Sequence, residues 1–375
     1  MKKSIIAIMF AFVLLLTYAV GVRPAFADEL DSNAKAMCLI DARSGEVAFE
    51  KNGDKKLPVA SMTKIMTLCV IFDEIESGRL SLDTEIIASD NAQHMGGSQV
   101  FIESGGRYKT ENLVKAIIIC SANDACVALA EHIAGSEAGF VSMMNKKAEA
   151  LGMTNTNFIN CTGLPCVNAY SSAKDMCACM RELIRHEKYF EYAKIWMEDF
   201  VHDGGRITSI SNTNKLLRRN IGVDAGKTGY TSEAMHCITA TAKKDDARFI
   251  ACVVGAPSSK ERFDAAEKML KYGFANFDSV ALLKKGEKVE TPAAIKRGTA
   301  NEVYGVPERD YYAFTKKRVA PDEYVEITYT KTAAPIKAGE EIGYATVYKN
   351  GKECDRIALL AEKNVERRGL FRIFG

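Results

Sequence analysis

The sequence predicts an α+β fold, with helices packed on an antiparallel sheet and a small all-β domain following. Capped apolar helical patterns succeed one another over residues 110–152, and strand-like runs lie at both ends of the first 278 residues instead of alternating with helices. From residue 279 onward the pattern switches to alternating apolar and polar residues between Gly and Pro turns. A chain of 375 residues is long enough for two such domains.

At the start, "MKKSIIAIMFAFVLLLTYAVGVRPAFADEL" places Lys2 and Lys3 before an apolar run and Ala25-Phe26-Ala27 after it. This pattern predicts a signal peptide over 1–27, cleaved after Ala27, then a first domain over 28–278 and a β domain over 279–362. The alternative is an uncleaved membrane anchor, whose apolar run is close to the lower limit for spanning a bilayer. Under either reading the rest of the chain is exported, to the cell wall or the outer face of the cytoplasmic membrane.

"AMCLIDARSGEVAFEKN" reads as two strands around Arg43-Ser44-Gly45, and "LPVASMTKIMTLCVIF" as the opening of a buried helix. Thr110 is expected to cap "ENLVKAIII", Asp124 "ACVALAEHI", and Ser136 a third helix that Gly152 ends. "CSAND" is then a short loop between the first two. Ser172 and Asp175 have capping-box-like spacing before another helix. "HCITATAKKDDARFIACVVGA" reads as a hairpin around "KKDD", and Ser258 or Ser259 caps a helix through "KERFDAAEKMLKYGF". In the last segment, 363–375, Leu370, Ile373 and Phe374 share a helical face opposite Arg368 and Arg372. That pattern suits peripheral membrane contact. A frayed tail suits it equally, because about a dozen residues including Gly369 make a marginal helix in water.

Removing residues 1–27 takes Lys2, Lys3 and Arg23 and no acid, leaving 47 basic residues against 48 acidic. So balanced a chain gives no reason to expect a nucleic-acid partner. The eleven cysteines are odd in number, and most lie inside apolar patterns such as "IMTLCVIF" and "ARFIACVVGA". They read as small buried hydrophobes. No C-x-x-C occurs, and Cys177 and Cys179 lack a nearby His-x-x-x-His, so neither a metal nor an organic cofactor is expected. Unpaired cysteines in an exported chain suggest an oxygen-poor exterior.

Ser61 and Lys64 carry the chemistry. A serine hydroxyl is a poor nucleophile until a base takes its proton, and residues three apart on a helix share one face. At a first turn, free N–H groups and the helix dipole would also favour developing negative charge. Lys64 must lose its proton to act as a base, which requires desolvation and nearby positive charge. By itself S-x-x-K is a weak signal, explained as well by a capped helix with a surface lysine.

Ser121-Ala122-Asn123 adds a hydroxyl and an amide in a loop between helices. Lys227-Thr228-Gly229 adds a charge and a hydroxyl suited to a carboxylate, with a glycine that lets a substrate backbone lie close. A phosphate-binding reading of "GVDAGKT" fails, since Gly222 and Gly226 have three residues between them rather than four and strands follow.

S-x-x-K, S-x-N and K-T-G in this order are the signature of the penicilloyl serine transferases. Through these motifs and "LIDARSGEV", "MGGSQVFIESG", "SANDACVALAEHIAGSE", "NTNKLL" and "GKTGYTSEA", nearly the whole chain resembles the low-molecular-mass penicillin-binding D-alanyl-D-alanine carboxypeptidases, the S11 serine peptidases. The resemblance implies a penicillin-binding transpeptidase/β-lactamase-like fold and removal of the terminal D-alanine from peptidoglycan stem peptides, with β-lactam antibiotics as covalent inhibitors. It implies that Ser61 forms the acyl-enzyme, Lys64 is the general base and Ser121 relays protons. Asn123 would bond the substrate's peptide, Lys227 and Thr228 the terminal carboxylate, and Arg262 would assist them. The oxyanion hole would combine the N–H groups of Ser61 and a residue near Thr231. The family's usual histidine before "YSSA" is Ala169 here.

A class A β-lactamase would need a deacylating glutamate in E-x-x-L-N, and no glutamate between Ser121 and Lys227 has Asn four residues on. A non-catalytic wall-peptide binder would have no use for an activated nucleophile.

Overall fold

The computed structural model describes Leu30 and residues 32–369. The expected signal peptide, and Leu370, Arg372, Ile373 and Phe374 of the expected membrane foot, lie outside the described residues.

The strands of the first part are β1 (Ala36–Asp41), β2 (Val47–Lys51), β3 (Glu85–Ile87), β4 (Arg107–Lys109), β5 (Met197–Val201), β6 (Ile207–Ser211), β7 (Val223–Thr231), β8 (Met235–Lys244) and β9 (Ala247–Ala256). Its helices are α1 (Lys64–Glu76), α2 (Asp90–Gln93), α3 (Thr110–Ile119), α4 (Asn123–Ala134), α5 (Glu137–Ala150), α6 (Ala173–Leu183), α7 (Glu187–Ala193) and α8 (Ser259–Asn276).

The central sheet is antiparallel, in the order β2-β1-β9-β8-β7. Every residue of β1 is buried because helices cover both faces of the sheet. Alternation then divides its side chains: Ala36, Cys38 and Ile40 join the core with α1 and α6, while Met37 and Leu39 face Phe263, Met269 and Leu270 of α8.

Helix α1 is buried on nearly all sides, which explains why its sequence shows no polar stripe. Its hydroxyl Thr67 Oγ1 donates to the carbonyl of Cys161 at 2.6 Å, so the one polar group in mid-helix is satisfied. A 3₁₀ turn, Ala60–Thr63, leads into it and carries Ser61.

The caps divide into two groups. Ser136, Ser172 and Ser258 accept N–H bonds from Gly139, Asp175 and Glu261, as N-caps do, and Gly152 has the left-handed φ of +69° that stops α5. Thr110 and Asp124 do not cap. The Thr110 hydroxyl donates to the Thr84 carbonyl, and Asp124 is already inside α4, with its carboxylate turned to a neighbouring loop. The β5–β6 hairpin was not apparent in the sequence.

The C-terminal part contains β10 (Phe277–Leu283), β11 (Ala293–Ala294), β12 (Glu302–Val303), β13 (Gly305–Pro307), β14 (Tyr311–Lys316), β15 (Glu323–Tyr329), β16 (Glu341–Lys349) and β17 (Lys352–Ala361). Four of these form the sheet β13-β17-β16-β15 over Leu283, Val289, Val347, Ile357 and Leu359. This part meets the β1–β2 turn through Ser279 Oγ donating to Asp41 at 2.6 Å, Lys349 pairing with Glu46 at 2.7 Å, and Arg43 over the Tyr312 ring at 4.4 Å. Among the described residues no helix is long and apolar enough to cross a membrane.

All eleven cysteines are unpaired, and only Cys166 and Cys354 are exposed. Alkylation of the native protein should therefore label Cys166 and Cys354 first, and denaturation should bring the remaining nine into reaction. Mass spectrometry that finds disulfides in the freshly purified chain contradicts this.

Candidate active site

Lys64 is wholly buried, and its Nζ is held by three oxygens. It lies 3.2 Å from Ser61 Oγ, 2.6 Å from Asn123 Oδ1 and 2.6 Å from the Thr162 carbonyl. Burial lowers the pKa of Lys64 below its ordinary 10.5. The thiols around it supply no counter-charge: burial pushes Cys126 up to about 12 and Cys120 to about 11, so both stay neutral at physiological pH. The nearby carboxylate of Asp124 is occupied elsewhere, accepting from the backbone N–H groups of Val100, Ile102 and Ala125.

Each partner of Lys64 is placed by its own local chemistry. Ser61 follows Ala60, whose φ of +49° sharpens the turn. Gly163 allows a second loop to pack against that turn, since a Cβ there would lie 2.0 Å from the Ala60 carbonyl. The loop is shaped by Asn160, whose side-chain oxygen accepts from the N–H groups of Thr162 and Gly163. That turn presents the Thr162 carbonyl to Lys64. Asn123 donates from Nδ2 to the Gly96 carbonyl at 2.6 Å, which leaves one amide hydrogen for a substrate.

Ser121 has a left-handed φ of +68°, and its Oγ is buried with no hydrogen-bond partner among the described residues. An unpartnered hydroxyl on a strained residue is the kind of feature found at working sites.

Lys227 is 1 % exposed and donates one bond, to the Thr228 carbonyl at 3.0 Å. Its remaining two donors are unpartnered among the described residues. Burial, then the charge of Lys64, takes its pKa well below 10.5. Thr228 Oγ1 donates to Thr213 Oγ1 at 2.9 Å, and Thr213 is tied to the end of α3 through the Ile119 carbonyl.

Gly229 has a packing role besides the one its sequence context suggests. A Cβ there would lie 2.6 Å from the Val59 carbonyl and 3.2 Å from Met62 N, so the glycine lets β7 lie against the serine-bearing turn. Thr231 ends β7, and its hydroxyl accepts the Ala234 N–H in the turn to β8. Arg262 reaches from α8 to the sheet, donating to the Gly229 carbonyl at 3.0 Å and the Cys237 carbonyl at 3.3 Å. It thus touches the K-T-G strand through the backbone of Gly229.

The structure therefore gathers Ser61, Lys64 and Asn123 by direct bonds, with Thr228, Gly229, Thr231 and Arg262 along the adjoining part of the sheet. Thr162, Asn160, Gly163 and Thr213 went unnoticed in the sequence. The Asn-x-Thr-Gly turn in "NCTGL" was the available signal, but nothing local linked it to Lys64. No group of three or more His, Cys, Asp or Glu side chains among the described residues forms a metal-ligand set.

The family model for D-alanyl-D-alanine carboxypeptidase matches residues 23–258, and that for the penicillin-binding protein 5 C-terminal domain matches 277–367. The chain is 35% identical to the D-alanyl-D-alanine carboxypeptidase DacF of Bacillus subtilis, over 98% of this chain and 96% of the relative. It is 34% identical to DacC of Escherichia coli, over 90% and 86%. Among solved structures, penicillin-binding protein 5 of Haemophilus influenzae superposes with a TM-score of 0.74 at 29% identity, covering 92% of this chain and 100% of that one.

Replacing Asp124 by Ala would strip the acceptor from three buried N–H groups, two of which, on Val100 and Ile102, hold the 98–102 loop to α4. We expect a loss of about 2–4 kcal/mol in urea unfolding. Ser136→Ala, which removes one exposed cap, should lose about 1 kcal/mol. Equal effects would show that the Asp124 contacts are not what secures the loop.

Proposed function

We propose, from the premise that this chain belongs to the D-alanyl-D-alanine carboxypeptidase family, that Ser61 is its nucleophile and Lys64 the base that activates it. The chain is a serine-type hydrolase that removes the terminal D-alanine from peptidoglycan stem peptides, and it binds β-lactams. Its work lies outside the cytoplasm.

One observation carries the assignment of roles: the geometry around Lys64 Nζ suits a neutral amine. Two of its contacts, at 2.6 Å, are to carbonyl oxygens that can only accept, and the longer third, at 3.2 Å, is to a hydroxyl that can also donate. A deprotonated Lys64 gives its two hydrogens to Asn123 Oδ1 and the Thr162 carbonyl. Its lone pair then faces the Ser61 hydroxyl, the proton it must take.

In the proposed sequence, the substrate's terminal carboxylate is received by the free donors of Lys227 and by the Thr228 hydroxyl, which turns its hydrogen from Thr213 to the carboxylate, and Arg262 adds positive potential through its hold on Gly229. Ser61 Oγ attacks the carbonyl between the two D-alanines, and Lys64 accepts its proton. The N–H groups of Ser61 and Thr231 stabilise the oxyanion. The proton passes, with Ser121 as relay, to the departing D-alanine amine. Water then hydrolyses the ester and restores Ser61. Asn123 orients the substrate peptide with its remaining amide hydrogen. We further propose export through residues 1–27 and peripheral membrane contact through the end of the 363–375 segment, whose Val365 and Arg367 are held in the β domain by bridges to Ile336 and Gly298.

The test is release of D-alanine from a muropeptide ending in D-Ala-D-Ala. Ser61→Ala should abolish release and also covalent labelling by a fluorescent penicillin; release that survives the substitution sinks the assignment. Lys64→Arg, which stays protonated, should slow acylation by roughly 10²- to 10⁴-fold. The basic form of Lys64 grows as pH rises, and burial sets its pKa below 10.5. The kcat/KM profile should therefore rise with pH through a limb whose midpoint lies below 10.5; a flat profile would exclude Lys64 as the titrating base.

A further inference from the structure

The segment "NTNKLL" follows β6, and its first three residues connect two parts of the site. Asn212 and Asn214 are 7 % and 1 % exposed and bond the local backbone. Asn212 Nδ2 donates to the carbonyls of Ala193 and Ile195 at 3.0 and 2.9 Å, and its Oδ1 accepts from the N–H of Asn214. Asn214 Oδ1 in turn accepts from the N–H of Leu216 and opens the 3₁₀ turn Lys215–Arg218. β7 packs directly on this segment, since a Cβ at Gly226 would lie 2.8 Å from Asn214 Nδ2.

Between the two asparagines Thr213 is fixed at both its backbone and its side chain. Its N–H donates to the carbonyl of Ile119, two residues before Ser121, at 3.1 Å, and its Oγ1 accepts from Thr228 at 2.9 Å. Thr213 therefore links the Ser121 loop to the K-T-G strand. Its own hydroxyl hydrogen has no acceptor among the described residues.

That hydrogen matters once Thr228 receives a substrate. A hydroxyl carries one hydrogen, so Thr228 cannot give it to Thr213 and to a carboxylate together. When Thr228 turns to the carboxylate, its oxygen still accepts, and a small rotation of Thr213 lets it donate back. The bond between the threonines is then reversed instead of lost. Aligned from Thr213 through Thr228 to the anion, the two bonds polarise each other and strengthen the outer one.

We propose that Thr213 is a positioning residue of the carboxylate site: it holds the Thr228 hydroxyl in the free enzyme and donates to it when substrate is bound. This rests on the carboxypeptidase reading and adds to it a residue that acts through Thr228.

The experiment measures kcat/KM for D-alanine release from a muropeptide ending in D-Ala-D-Ala. Thr213→Val keeps the shape of the side chain and the backbone N–H but removes the hydroxyl; Thr213→Ser restores it. We expect Thr213→Val to lower kcat/KM roughly three- to ten-fold and Thr213→Ser to stay within about two-fold of the unaltered chain. In a Thr228→Val background, Thr213→Val should change kcat/KM by less than about two-fold, because the group it acts through is gone. Where release by Thr228→Val is too slow to read, the same ratios are taken from the rate of labelling by a fluorescent penicillin. Thr213→Ala carries the same expectations if Thr213→Val does not fold. An unchanged kcat/KM in the hydroxyl-free variant, an equal loss in both backgrounds, or no rescue by serine overturns the role of Thr213 and leaves the carboxypeptidase intact. No release by the unaltered chain overturns the carboxypeptidase reading and this role with it.

Discussion

The nitrogen of Lys64, buried without a counter-ion, is the constraint on which the rest of the site depends. A charge in that position is costly, and what the protein offers it is three oxygens from three separate segments: Ser61 beside it, Asn123 at the start of α4, and the Thr162 carbonyl. These partners hold the amine firmly, yet no carboxylate fixes its proton in place. The cost of burying the charge and the readiness to act as a base are the same physical fact.

Close packing of backbone around the serine turn follows from that requirement. Gly163 and Gly229 lie on either side of Val59–Met62, and each would place a Cβ within 2.6 Å or less of a turn carbonyl. The turn is thereby clamped between the 160–164 loop and the edge strand β7. Behind β7, Arg262 bonds the Gly229 carbonyl, so the helix on the far face of the sheet also helps to position the strand. A sheet buried on both faces gives these contacts a rigid support.

The α+β part and the C-terminal β part meet at the β1–β2 turn, on the sheet edge opposite β7. The groups around Lys64 thus gather at one edge while the second domain occupies the region of the other. That domain leaves β7 uncovered where Lys227, the serine turn and Thr231 occur in succession.

Much of this was legible in the sequence because it is local. The α+β class, the hairpin of β8 and β9, and the caps at Ser136, Ser172 and Ser258 follow from periodicity and from hydrogen bonds within a few residues. S-x-x-K, S-x-N and K-T-G likewise declare an acyl-transfer site, since each motif is short and occurs in order. Tertiary structure decided what depends on segments far apart in the chain. It gave Lys64 the Thr162 carbonyl, 98 residues away, turned Asp124 from a cap into a tether for the 98–102 loop, and made Gly229 a packing contact. A backbone carbonyl has no residue type to announce it, and a glycine does not name the neighbour it admits; those facts exist only once the chain has folded.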